Sequence, residues 1–86
     1  MTDRADYTPL RHAEVDDDPD VKWVALARWD FSDSVEWTVE YWDDRGEAGS
    51  DRSFGSEAGA GSHAMREFHL RPEDWRPGPN PLGGRP

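Results

Sequence analysis

Two neighbouring segments, VKWVALARWDF (21–31) and VEWTVEYWD (35–43), place apolar side chains at every second position, and only Ser32-Asp33-Ser34 separates them. A period of two marks a strand with one face buried. Trp23, Ala25, Ala27, Trp29 and Phe31 share one side of the first segment; Val35, Trp37, Val39 and Tyr41 share one side of the second. Slipping the pairing by one residue would turn one of these sets to solvent. The pattern therefore predicts an antiparallel hairpin whose paired residue numbers add to an even total. With a three-residue loop, Trp29 stands opposite Trp37, Ala27 opposite Val39 and Ala25 opposite Tyr41. On the other side Val24 meets Trp42 and Leu26 meets Glu40. Trp42 is the anomaly, a tryptophan on the charged side, where it forms a small apolar patch with Val24 and Leu26.

Arg52-Ser53-Phe54 supplies a short third strand, which an isolated hairpin needs for stability. Ser56 is a good N-cap with Glu57 in the first turn, and Ala58, Gly61, Met65 and Phe68 then recur at helical steps until Pro72. The helix covers about 56–70. It begins at Ser56 or, because Gly59 and Gly61 each cost ~1 kcal/mol relative to Ala, at Ser62. The expected fold class is α+β: a small two-layer ββ(β)α unit with a hairpin at 21–31 and 35–43, a third strand at 52–54, and one sheet face left open. Residues 1–20 read as a flexible acidic arm ending in Asp16-Asp17-Asp18-Pro19-Asp20, 21–75 as a single domain, and 76–86 as a Pro/Gly-rich tail. All five Trp and all three Phe fall within 21–75. A core drawn from so short a segment is near the lower limit for an unassisted fold.

Composition excludes several functions. The 86 residues carry 19 Asp and Glu against 10 Lys and Arg, a net charge of −9. Phosphate-backbone binding needs a basic face, so neither nucleic acid nor an anionic membrane is an expected partner. No apolar run approaches the ~18 residues of a membrane span. The chain has no Cys, which removes disulfides, thiolate metal sites and Cys nucleophiles. A calcium loop starting at Asp43 fails at its third position, Arg45. His63 and His69 are six residues apart and cannot share a helix face. Phe54–Gly61 is Gly-rich but lacks the Lys of a phosphate loop. Glu36 and Glu40 share a strand face but lie ~13 Å apart at ~3.3 Å per residue, too far for a glycosidase pair. No enzyme and no cofactor is expected.

The acidic, Trp-centred sheet face is the strongest functional signal. An aromatic with apolar neighbours inside a polar rim has the anatomy of an interaction hot spot. Trp42, Val24 and Leu26 would form its centre and Asp30, Glu36, Glu40, Asp43 and Asp44 its rim, so the expected partner is another protein with a basic surface. In size and composition the chain is similar to phage-encoded inhibitors of restriction and CRISPR enzymes, which are often short, acidic and Cys-free. That likeness implies an accessory or inhibitory factor of phage or mobile-element type, and the lack of a membrane-span run or a signal-peptide apolar region makes cytoplasmic the expected location. The excess of Arg over Lys, with abundant Gly, Ala and Pro, suggests a GC-rich genome, actinobacterial or phage. The alternative is a minor structural subunit or homo-oligomer of a larger assembly such as a phage particle.

Overall fold

The hairpin forms the centre of a wider sheet. A computed structural model describes residues 6–16, 18–79 and 81. Strands β1 (Asp6–Glu14), β2 (Trp23–Asp30), β3 (Val35–Trp42), β4 (Ala48–Phe54) and the two-residue β5 (Arg76–Pro77) make one antiparallel sheet in the order β4-β3-β2-β1-β5. Helix α1 (Glu57–Phe68) packs on one face, and a single 3-10 turn at Pro72–Asp74 returns the chain to β5. The class is α+β, as predicted, with the third strand longer than the expected 52–54. Among the described residues, no helix is long and apolar enough to cross a membrane.

The expected arm is corrected first. Residues 6–14 are a sheet strand, paired with β2 from Asp6↔Asp30 to Glu14↔Trp23. The alternation in β1 is broken by a bulge between Pro9 and Arg11, where Leu10 is the extra residue. Pro9 precedes the stretch that β5 covers, so it sits where β1 is still the sheet edge and its missing N–H is tolerated. Residues 1–5 and Asp17 of that arm, and 80 and 82–86 of the tail, lie outside the described residues.

The hairpin register is also corrected. Strand β2 pairs with β3 as Val24↔Tyr41, Ala25↔Glu40, Leu26↔Val39 and Trp29↔Glu36, one residue away from the expectation. The loop is four residues long, and Phe31 N–H donates to the Ser34 carbonyl at 2.9 Å. The physical reason is that β2 is apolar on both sides. Val24 and Leu26 on its even side are as fit for burial as the Trp and Ala residues on its odd side, so parity in β2 leaves the register undecided. The helix-covered core takes the even set of β2 and the odd set of β3: Val24, Leu26, Val39 and Tyr41 pack with Ala13, Val15, Ala60 and Ala64.

Helix α1 opens at Ser56, whose hydroxyl accepts from Gly59 N–H at 3.0 Å, and closes on His69 in the left-handed conformation at φ 55°. Its buried residues are Ala60, Gly61 and Ala64, with Phe68 packed against the same core; of the line Ala58, Gly61, Met65 and Phe68 read from the sequence, Gly61 and Phe68 face the core and Ala58 is exposed. Small residues here bring the helix close to Leu26. A Cβ on Gly61 would lie 3.7 Å from Leu26 Cδ1, an ordinary contact, whereas one on Gly59 would press to 3.1 Å on the capping Ser56 Oγ. Gly61→Ala is therefore expected to raise stability by ~0.5–1 kcal/mol, and Gly59→Ala to gain less or lose; urea midpoints of the two variants test the contrast.

Candidate functional site: the sheet face opposite the helix

Pairing places the side chains of the second face in four rows. Glu36, Trp29 and Tyr7 form one row; Thr38, Ala27 and Pro9 the next; Glu40, Ala25 and His12 the third; Trp42, Trp23 and Glu14 the last. Strand β4 adds Ser53 beside Thr38, Asp51 beside Glu40 and Ala48 beside Trp42. Aromatic side chains thus occupy the two ends, and Ala25 and Ala27 leave low ground between them on the central strand. Among the described residues, no strand or helix forms a second layer here, yet Ala27 and Glu40 are 0 % exposed and Trp42 only 5 %.

The cause is that the aromatics lie inward as a roof. Trp29 donates its indole Nε1–H to Thr38 Oγ1 at 3.0 Å, and its ring sits 4.7 Å from that of Tyr7 at 58°. Trp42 donates Nε1–H to Glu40 Oε1 at 3.2 Å, and the Tyr7 hydroxyl donates to the same oxygen at 3.0 Å. A carboxylate taken out of water must be given donors, and two of those of Glu40 come from the rings above it. This arrangement accounts for a tryptophan on the charged side of β3: Trp42 covers the carboxylate it hydrogen-bonds.

The sequence-derived site is accordingly divided. Trp42, Glu36 and Glu40 share this face, but Trp42 is buried rather than exposed. Val24 and Leu26 point the other way into the helix-covered core, and Asp30 shares their side, where it pairs with Arg28 at 2.9 Å. The expected Val24–Leu26–Trp42 patch is thus not formed. Asp43 and Asp44 lie in the β3–β4 turn, where with Asp16, Asp18, Asp20 and Lys22 they line an acidic recess of about 220 Å³. Among the described residues, no group of three or more His, Asp or Glu side chains is arranged to hold a metal ion. Tyr7, Trp23 and Trp29, the part-exposed members of the roof, were not in the sequence-derived site. The sequence reading puts Tyr7 in the acidic arm and both Trp on the side of the hairpin opposite Trp42.

Charge separates with the faces. The cations within β1–β4 are Arg11, Arg28 and Arg52, paired with Leu26, Trp37 and Val39 on the helix side. On the roofed face the same strands carry Glu14, Glu36, Glu40 and Asp51, and neither Lys nor Arg. Lys22 flanks it, ion-paired with Glu14, a bond that raises the Lys22 pKa, and it lies over the Trp23 ring at 5.9 Å.

The remaining polar clusters tie the fold together. Beneath α1 the Tyr41 hydroxyl donates to Glu67 Oε1 at 2.7 Å, and His63 Nε2 lies 3.2 Å from the same oxygen. Burial first, then the Glu67 bond, raises the Tyr41 pKa well above the phenol range, so the group stays a protonated donor and links β3 to the helix. Tyr41→Phe should cost ~1–1.5 kcal/mol, at or just below the low end for a bond to a charged group, since Glu67 reaches water. In the β3–β4 turn Asp43 Oδ1 accepts from the N–H groups of Glu47 at 3.0 Å and Arg45 at 2.9 Å. These donors, that of Glu47 first, hold its carboxyl below the usual range. The native turn therefore binds the proton less readily than the unfolded chain does. Its contribution is complete above pH ~4 and fades as pH falls through the depressed value. Asp43→Asn should flatten that part of the acid-unfolding profile.

Comparison with protein-family models, with curated proteins and with solved structures finds no match to this chain.

Proposed function

We propose that this chain is a non-enzymatic binding protein that holds a basic protein on the roofed face of its sheet, as a cytoplasmic accessory or inhibitory factor. The observation that carries the reading is the coincidence of two asymmetries. One sheet face bears part-exposed Tyr7, Trp23 and Trp29 together with exposed Glu14, Glu36 and Asp51, while the cations of β1–β4 stand on the other side and Arg76, in register with His12, adds a cation only at the β5 edge. Aromatic residues dominate the energetics of protein interfaces, and a face of single sign selects a partner of opposite sign and speeds its encounter. A second copy of the chain fits poorly, because face-to-face pairing would set carboxylates against carboxylates.

The test is affinity capture from cells that carry the protein, with wild type compared against two charge reversals. Glu36→Lys combined with Ser53→Lys alters the roofed face at exposed positions, and Asp30→Lys alters the helix side. A basic protein retained at low salt and released at high salt by wild type and Asp30→Lys, but lost with the double variant, is the expected result. Equal recovery by all three would place the contact elsewhere.

A further inference from the structure

Among the five Trp rings, three have a cation of this chain over them. Arg28 lies 5.9 Å from the Trp37 centroid, Arg11 5.6 Å from Trp75 and Lys22 5.9 Å from Trp23. Trp42 is buried. Trp29 is the exception: part-exposed, with no cation over its ring among the described residues. It stands directly opposite the exposed carboxylate of Glu36 across the β2–β3 pair, and opposite Tyr7 on the β1 side. Directly opposed side chains have Cβ atoms ~4.5–5.5 Å apart. The Trp29 ring is also held in place, by its bond to Thr38 and its packing on Tyr7, so little side-chain entropy remains to be lost on binding.

We infer that Trp29 and Glu36 together form a receptor for an arginine side chain of the partner. The indole offers its π-system to a guanidinium, and the carboxylate beside it accepts the N–H groups that the ring cannot satisfy. Guanidinium is preferred to ammonium because it is planar, weakly hydrated and able to stack while still donating laterally. The chain uses the same chemistry internally at Trp37, where Arg28 lies near the ring while donating to Asp30 from Nε and Nη2 at 3.1 and 2.9 Å. On the roofed face the carboxylate and the ring are present, and the cation comes from the partner. This inference rests on the roofed face being the binding face and narrows that face to one row.

The probe is an octa-arginine peptide titrated into the intact protein, followed by the Trp29 indole N–H resonance and by calorimetry, with octa-lysine in parallel. Binding should shift the Trp29 resonance, and octa-arginine should bind about two- to fivefold more tightly than octa-lysine. Glu36→Gln and Trp29→Leu should each weaken octa-arginine by about two- to fivefold and narrow its advantage over octa-lysine. Asp43→Asn, in the acidic turn, should leave both unchanged. Glu36→Gln alters an exposed side chain, so it remains informative if Trp29→Leu impairs folding. Equal affinity for the two peptides, or wild-type affinity in Glu36→Gln, overturns the inference. If the captured partner is still lost on charge reversal while octa-arginine ignores Trp29 and Glu36, the face survives and the arginine receptor does not. If sedimentation shows a dimer that Trp29→Leu disperses, the ring is covered by a second copy and the inference is wrong.

Discussion

Leu26→Ala is expected to lower the free energy of unfolding by ~2–5 kcal/mol and the thermal midpoint by about 8 °C or more, at ~4–8 °C per kcal/mol for a domain of this size. Leu26 is 1 % exposed on the central strand, opposite Val39 and against Gly61 of α1, so its side chain joins the sheet to the helix. Its neighbours are poorly able to fill the space it would leave. Ala60 and Ala64 are short, and the backbone of α1 is held from both ends by the Ser56 cap and the Tyr41–Glu67 bond. Net stability in a chain this short is only several kcal/mol, so this variant should be largely unfolded at 37 °C. The measurement is circular dichroism against temperature and urea. A loss below ~1 kcal/mol would mean that the helix does not pack where described.

How much of this was legible in the sequence depends on whether a segment has one apolar side or two. Strand β3 was placed closely, because Val35, Trp37, Val39 and Tyr41 alternate with Glu36, Thr38 and Glu40. The helix was legible from Ser56 and Pro72, features whose chemistry is local. Strand β2 was found as a strand, but its orientation could not be read. Val24 and Leu26 belong to one buried surface and Ala25 and Ala27 to another, and a period-two pattern cannot rank them. Strand β1 was missed for a different reason. Pro9 and the bulge at Leu10 shift its parity midway, so that Tyr7 and His12 share a face while having numbers of opposite parity. The acidic composition of residues 1–20 then outweighed what remained of its pattern. The site error follows from these two. With β1 absent and β2 inverted, Trp42 stands alone, whereas in the structure Trp23 and Glu14 share its row and the Tyr7 hydroxyl reaches the Glu40 oxygen that it bonds.

Trp42→Ala is expected to cost ~3–5 kcal/mol, an effect on stability far larger than on any interface. The indole is 5 % exposed, so its removal returns much of the underlying sheet to water and deprives Glu40 of an N–H donor. Trp42→Phe separates these contributions: it retains part of the roof and loses the hydrogen bond, and should cost ~1.5–3 kcal/mol, the amount of a bond to a charged group. A cycle with Glu40→Ala measures the coupling directly, and a term above ~1 kcal/mol is expected for partners in one hydrogen-bonded unit. The magnitude also decides how the face should be probed. A residue that holds the face closed loses binding and folding together when it is truncated, so a fall in partner capture with Trp42→Ala would say nothing about contact. Glu36 and Ser53, exposed and on the same surface, can be changed with the roof intact. The ordering expected is therefore opposite for the two measurements: in urea titration Trp42→Ala far exceeds Glu36→Lys, and in capture by the folded protein Glu36→Lys with Ser53→Lys far exceeds Trp42→Phe. If Trp42→Ala instead unfolds at the wild-type urea concentration, the indole is not a roof, and its proximity to Glu40 contributes nothing to the fold.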